Sequence, residues 1–448
     1  MSCFFNFKDK LRLTRGPEVW RKSNGLSSER RDKSSRSAPI GESPRTKSST
    51  SSANSTRTVS EIYNERARNL TVFSFSKLRH ATDNFSRALK IGEGGFGSIY
   101  RGTITCSDGN GEGQVEVAVK VLKRDSSQGH KQWVAEIQFL GVLEHPNLVK
   151  LIGYCGEDTE RGMERLLVYE LMPNKSLEDH LFNRAYPTLS WQARLEILLG
   201  AARGLAYLHE GLEVQVIHRD FKSSNVLLDE NFKPKLSDFG LAREGPAPDR
   251  THVTTKVVGT HGYAAPDYVE TGHLTTKSDV WSFGVVLYEA LAGRPSLNQK
   301  LPKSEQKILE WVKQFPASSK KFSTIIDPRL ENQFSVGAAR EVARLADRCL
   351  ARRAKSRPKM SEVVEKLQEI IQASSEVTEA EPSPPSPERK DNTIDPEKDS
   401  NTGPGKSESW KRRMAQLEKL AEHVEGDRAR KFMTRQRANV QLKEHVSV

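Results

Sequence analysis

The chain has 448 residues, 35% of them hydrophobic, and a formal net charge of +12, enough for one large domain with tails or for two or three smaller ones. Its four cysteines, Cys3, Cys106, Cys155 and Cys349, have no paired spacing, which argues against a disulfide framework and a zinc site and suits a reducing cytosol. No apolar run reaches the roughly 18–20 residues that cross a bilayer, and "MSCFFNFKDK" places charges where a signal peptide needs its apolar stretch, so an intracellular protein is expected.

Residues 1–70 read as a basic, Ser-rich disordered arm. Thirteen Lys/Arg against five Asp/Glu in the first 60 residues hold most of the net charge. Such an arm is either a plain solvated tail or a surface for anionic lipid, nucleic acid or an acidic partner. "FSFSKLRHATDNFS", residues 73–86, reads as a short amphipathic helix. "LKIGEGGFGSIYRGTI" alternates apolar and polar residues on both sides of its glycines, which predicts strand–turn–strand. "CSDGNGEG" reads as a turn-rich loop, and "QVEVAVKVLK" as a third, Val-rich strand. "GHKQWVAEIQFLGVLEH" has helical spacing, while "LVKLIGYCGE" and "RLLVYELM" read as strands. From Ser176 onward the pattern is mostly helical, including "EQKILEWVKQF" and "MSEVVEKLQEIIQA". A β-rich lobe followed by a helical lobe is an α+β arrangement. Residues 373–409 form a Pro/Ser/acidic linker, and 410–448 a charged possible helix.

Gly92, Gly94 and Gly97 have the spacing G-x-G-x-x-G. The pattern serves dinucleotide sites and nucleotide flaps alike. Here the glycines lead from a strand into another strand, which counts against a dinucleotide fold, whose glycines open a helix. Lys120 follows in "VAVK", then Glu136, then "HRDFKSSN" (His218–Asn225), then "DFG" (Asp238–Gly240). Each motif is weak alone, but this order and separation are specific.

The ordered set resembles the eukaryotic protein kinase family over residues 85–372. The resemblance implies a two-lobed fold, with an N-lobe at 85–172 and a C-lobe at 173–372. It implies a serine/threonine kinase that uses ATP and magnesium, since "HRDFKSSN" carries Lys222 in the serine/threonine form. By the same resemblance Asp220 orients the substrate hydroxyl and accepts its proton, and Lys222 steadies the phosphoryl group. Lys120 contacts the phosphates and Glu136 holds Lys120. Asp238 and Asn225 bind magnesium, whose preference is for hard oxygens. The flap is Ile91, Gly92, Glu93, Gly94, Gly95, Phe96, Gly97, Ser98 and Ile99. With Ala118 and Leu227 its two isoleucines line the adenine slot, Tyr169 backs it, and Glu170 to Met172 supply hinge amides. Thr254 and Thr255 are phosphosite candidates that would pair with Arg219, and Thr260 shapes the substrate site.

The closer resemblance is to plant receptor-like cytoplasmic kinases, class VII in particular. It is carried by "FSFSKLRHATDNFS", "NLVKLIGYCGEDTERGMERLLVYELMPNKSLEDHLF", "HRDFKSSNVLLDENFKPKLSDFGLAREGP" and "THVTTKVVGTHGYAAPDYVETGHLTTKSDVWSFGVVLYEALAGRP". It implies protein substrates and an upstream membrane receptor kinase in immune or developmental signalling, and no nucleic acid partner. Many relatives begin Met-Gly-x-Cys; this chain begins Met-Ser-Cys, so myristoylation is not expected. Cys3 is a candidate for palmitoylation, with the basic arm as second anchor on an anionic membrane surface. The expected location is cytoplasmic, peripheral at the plasma membrane, with the nucleus as alternative.

One departure stands out. Most kinases have Ala-Pro-Glu after the activation segment, and the Glu pairs with a buried Arg. Here the residue is Asp267, with Arg357 its expected partner. A carboxylate shorter by one carbon–carbon bond, roughly 1.5 Å, threatens that pair and is the one argument for the alternative, a pseudokinase scaffold.

Overall fold

The computed structural model describes residues 70–379, apart from Phe96, Gly109, Asn110, Asp125, Arg161 and Pro248. The arm with Cys3, most of the linker, the C-terminal segment and Phe96 of the flap therefore lie outside the described residues. The chain enters as a short strand, β1 (Thr71–Val72), and then helix α1 (Phe75–Ala81). Ser74 caps that helix, its side chain accepting from Lys77 N, as an N-cap serine should.

Strands β2 (Lys90–Gly94), β3 (Gly97–Asp108) and β4 (Gly111–Leu122) follow, then α2 (Ser127–Leu140), then β5 (Leu151–Thr159) and β6 (Gly162–Glu170). They build one sheet of order β1-β5-β6-β4-β3-β2, antiparallel except where β1 lies beside β5. The stretch "CSDGNGEG" is mostly strand, not loop: β3 and β4 pair as far as Asp108 opposite Gly111. Ladder bonds use backbone groups alone, so an established hairpin carries residues of poor strand propensity. Helix α1 closes the outer face of this sheet. Phe73, Leu78, Ile104, Val117, Val119, Cys155, Leu166 and Val168 form a separate buried cluster there.

The second lobe is helical. It runs through α3 (Leu177–Phe182), α4 (Trp191–Glu210), β7 (Val216–Ile217), β8 (Val226–Leu228), β9 (Pro234–Leu236), β10 (Arg243–Glu244) and β11 (Val253–Thr254). Then come α5 (Pro266–Thr271), β12 (His273–Leu274), α6 (Thr276–Ala292), α7 (Ile308–Val312), α8 (Val336–Cys349) and α9 (Met360–Glu379). Only Ile308–Val312 of "EQKILEWVKQF" is α-helical. Pro302 and Pro316 flank that stretch, and a residue before proline is driven out of the helical region. Helix α6 is buried almost all round, from Ser278 to Ala292. Phe221, Phe239 and Phe283 sit in the central core, directly beneath the loops that carry the polar motifs. The β-rich and helical lobes expected from the sequence are both present. Among the described residues no helix is long and apolar enough to cross a membrane.

Candidate active site

Lys120 lies on β4, opposite Ile99 of β3 and Leu167 of β6. Its side chain leaves the sheet toward α2 and the segment after β9. Nζ donates to Glu136 Oε1 at 2.6 Å and to Asp238 Oδ1 at 2.9 Å. Glu136 is fully buried on α2, and its other oxygen accepts from the hydroxyl of Tyr169. Burial works against the Lys120 charge, but Asp238 and Glu136 outweigh it and hold the ammonium above its ordinary value. Burial raises the Glu136 carboxyl, with Lys120 and Tyr169 opposing. Burial would raise Asp238 too, yet Lys120, Lys222 and His218 pull it below the ordinary carboxylate value. Asp238 has φ +61° and ψ +67°, a left-handed backbone. That conformation costs a non-glycine residue about 1–2 kcal/mol. It turns the carboxylate toward Lys120.

A second junction forms around Asp220. Thr260 Oγ1 donates to Asp220 Oδ1 at 2.6 Å, and Lys222 Nζ donates to Asp220 Oδ2 at 2.8 Å. Lys222 also reaches Thr260 Oγ1 at 2.8 Å. Asn225 Nδ2 donates to Asp220 O at 2.9 Å, which leaves the amide oxygen as its acceptor end. Ser237, next to Asp238, donates its N–H to Asn225 O at 2.9 Å. Strands β8 and β9, paired Val226 to Leu236, thus keep Asn225 and Asp238 beside each other. One carboxylate and one amide oxygen are the hard donor set that magnesium takes.

The glycines of the flap have different surroundings. A Cβ built on Gly94 or Gly95 meets nothing within 4 Å, whereas one on Gly97 would lie 2.1 Å from Val121 O. The first two face open space that phosphates can fill. The third is needed for close strand pairing. Glu93 and Ser98 pair across the β2–β3 turn. Glu93 also binds Lys90 Nζ at 2.7 Å, outside the cleft. Ala118 pairs with Tyr169, and Met172 is buried. Leu227 is half-buried and bridges to Ser176, and Ile91 is half-buried on β2. Glu170 donates its N–H to Lys150 O at 3.1 Å and its carboxylate holds Lys235 Nζ at 2.7 Å.

Residues 85–367 match the family of protein tyrosine and serine/threonine kinases. The chain belongs to the protein kinase family. It is 54% identical over 386 residues to the probable serine/threonine-protein kinase PBL20 of Arabidopsis thaliana, covering 84% of this chain and 97% of that one. It is 56% identical over 310 residues to the Arabidopsis serine/threonine-protein kinase PCRK1 (69% and 74% covered). To PCRK2 of the same plant it is 54% identical over 334 residues (74% and 79% covered). These relatives bear out the resemblance to plant receptor-like cytoplasmic kinases.

In this kinase the activation segment is anchored at several points. Arg219 has φ +71°, and its side chain donates to Thr255 Oγ1 at 3.0 Å, to Lys256 O and to Tyr268 Oη at 3.0 Å. Thr254 is exposed, on β11 opposite His273. Asp267 pairs directly with Arg357, so the shorter carboxylate still reaches, and the argument for a scaffold loses its basis. Two contributors went unrecognised in the sequence. Asp279, 1% exposed, accepts from His218 N and Arg219 N at 2.8 Å each and bonds His209 Nε2 at 2.8 Å. An acid opening the apolar run "DVWSFGVVLYEA" is the signal that marks it. Glu289, inside the same run, is fully buried and accepts from Tyr263 Oη at 2.7 Å and Ser296 N at 2.8 Å.

Proposed function

We propose that this serine/threonine protein kinase transfers the γ-phosphoryl group of ATP to hydroxyls of protein substrates and relays a signal from a membrane receptor kinase. The observation that carries the chemistry is the junction at Asp220, where Oδ1 already holds a hydroxyl, that of Thr260, at 2.6 Å. A substrate hydroxyl that reaches the same carboxylate is oriented for attack and hands its proton to Asp220. Lys222, tied to Asp220 and Thr260, keeps a positive charge beside the transferring group. Lys120 steadies the phosphates and Glu136 fixes Lys120. Gly92, Gly94 and Gly95 let the flap backbone approach them. Ile91, Ile99, Ala118 and Leu227 enclose the adenine, and the Glu170–Met172 hinge bonds it. Asp238 and Asn225 would hold magnesium, which would supply positive charge beside the phosphates.

Thr255 is the favoured regulatory phosphosite. Among the described residues the Arg219 guanidinium has only neutral hydrogen-bond partners, namely a hydroxyl, a phenol and a carbonyl. Burial, then the neighbouring Arg243 charge, lower its pKa. A phosphate on Thr255 answers both with charge-assisted bonds. Cys3 acylation together with the basic arm is the proposed route to the plasma membrane, where a receptor kinase works; an unchanged membrane fraction for Cys3→Ser would remove it.

The deciding experiment is phosphate transfer by the purified protein with magnesium and ATP, mapped by mass spectrometry beside Asp220→Asn. The expected result is new phosphate on Thr255, with the variant slower by about 10²–10⁴-fold and its nucleotide affinity retained. An inert wild-type protein that still binds ATP would overturn the reading.

A further inference from the structure

Tyr268 lies on α5, one residue after Asp267, and is 2% exposed. Its ring packs with Ile217, Ala265 and Leu274 in a small cluster beneath the activation segment. Its hydroxyl sits where three groups converge. It accepts from Arg219 Nε at 3.0 Å and from Val258 N at 3.1 Å, and donates to Lys256 O at 3.2 Å. Arg219 stands directly before Asp220, and Val258 stands two residues before Thr260. The hydroxyl therefore grips both flanks of the Thr260–Asp220 contact.

We propose that Tyr268 is a positioning residue which holds the unphosphorylated activation segment against Arg219, so that the substrate site is assembled before Thr255 is modified. The inference rests on the kinase reading and on Thr255 as the phosphosite. The logic is one of substitution between acceptors. Arg219 needs an acceptor to stay aimed at the segment. In the unmodified chain the phenol oxygen is one, with Thr255 Oγ1 and Lys256 O beside it. A phosphate on Thr255 brings about twice the strength per bond. Once it is present the phenol becomes dispensable. The charged groups around the contact are Arg219 and, at longer range, Arg243 and Asp279. None of them belongs to Tyr268's own helix. The neutral hydroxyl thus meets mainly positive charge, where an acceptor is favoured.

The test uses full-length wild-type and Tyr268→Phe proteins, each unphosphorylated or with phosphothreonine installed at position 255 during translation. The variant keeps the buried ring and loses only the oxygen. Hydrogen bonds to a charged donor are worth enough to shift an equilibrium about tenfold or more. Unphosphorylated Tyr268→Phe should therefore lose about tenfold in kcat/KM for a peptide substrate, with its ATP affinity within about twofold of wild type. With phosphothreonine at 255 the two proteins should agree within about twofold. Amide hydrogen exchange supplies a readout that needs no catalysis. Protection at Val258 should fall by about the same factor in the unphosphorylated variant, and return with the phosphate. Equal activity and protection of the two unphosphorylated proteins would overturn the proposal. So would a deficit that the phosphate leaves untouched, which marks a purely structural role. If the kinase reading fails instead, wild type transfers no phosphate while the exchange difference persists.

Discussion

Asp267 makes a direct ion pair with Arg357 although the side chain is one methylene shorter than the glutamate usual at this place. Arg357 is itself tightly held. Nε donates to Ala351 O and Nη1 to Lys277 O, both at 2.9 Å, and the guanidinium lies 5.1 Å from the Trp281 ring centroid. The arginine is thus held on several sides besides Asp267. Asp267→Ala leaves a buried guanidinium short of its counter-charge. The expected loss is about 3 kcal/mol, or about 5 °C in melting temperature for a domain of this size. Asp267→Glu should stay within about 1 kcal/mol of wild type. Calorimetry of the three proteins checks both, and a stable alanine variant would remove the pair from the account.

Two glycines of one loop should respond oppositely to the same substitution. Gly97→Ala drives a methyl into Val121 O at 2.1 Å, so the β3–β4 pairing must open and the variant should be visibly destabilised. Gly94→Ala meets only open space, so it should fold normally and bind ATP more weakly. Thermal melts and nucleotide titrations of both variants separate the sheet's needs from the ligand's.

Tyr169→Phe removes a donor from the buried Glu136 carboxylate. That hydrogen bond lowers the Glu136 pKa against the larger effect of burial, which raises it. Without it the carboxyl protonates at higher pH, and Lys120 loses its ionised partner. The acid limb of the kcat/KM profile for ATP should move to higher pH, and stability should fall by about 1–3 kcal/mol. An unmoved acid limb would mean that Glu136 does not control it.

Glu289 gives a stability prediction of definite sign. Burial pushes its carboxyl up to about 7, opposed by Tyr263, Ser223 and Ser296. The unfolded carboxyl titrates near 4.5. Between these values the folded protein binds the proton and the unfolded chain does not. The group's contribution to stability is thus largest below about 4.5 and declines as pH rises toward 7. Glu289→Gln removes the titration. The variant should gain on wild type by about 3 kcal/mol between pH 5 and pH 8. Urea melts at the two values test this, and a constant difference would count against the assignment.

The sequence signals differ in kind. Lys120, Asp220, Asn225 and Asp238 were legible because each stands in a short motif whose order along the chain is restrictive, and Glu136 because it falls between them on the helix after Lys120. Their meeting across two lobes needs only that the strands pair as their alternation suggests. Tyr268 and Asp279 were not legible as contributors, since their value lies in backbone groups of distant loops, Val258 for one and His218 for the other. The closure of the outer sheet face by Leu78 and its neighbours is likewise a tertiary fact. The helix is visible in the periodicity, but its docking face is not. The long β3–β4 hairpin defeats a composition rule because backbone pairing carries Gly and Asp along with it.

An ammonium group has three protons to donate. In Lys120 two of them are committed, one to a helix and one to the segment after β9. Those two elements belong to different lobes yet pack directly on each other, with no room for a methyl between Gly240 and the Gln132 side chain. The lysine is thereby the polar rivet of an apolar seam. A displacement of the helix drags at the segment that carries Asp238 as well, so the ammonium loses both carboxylates together rather than one at a time.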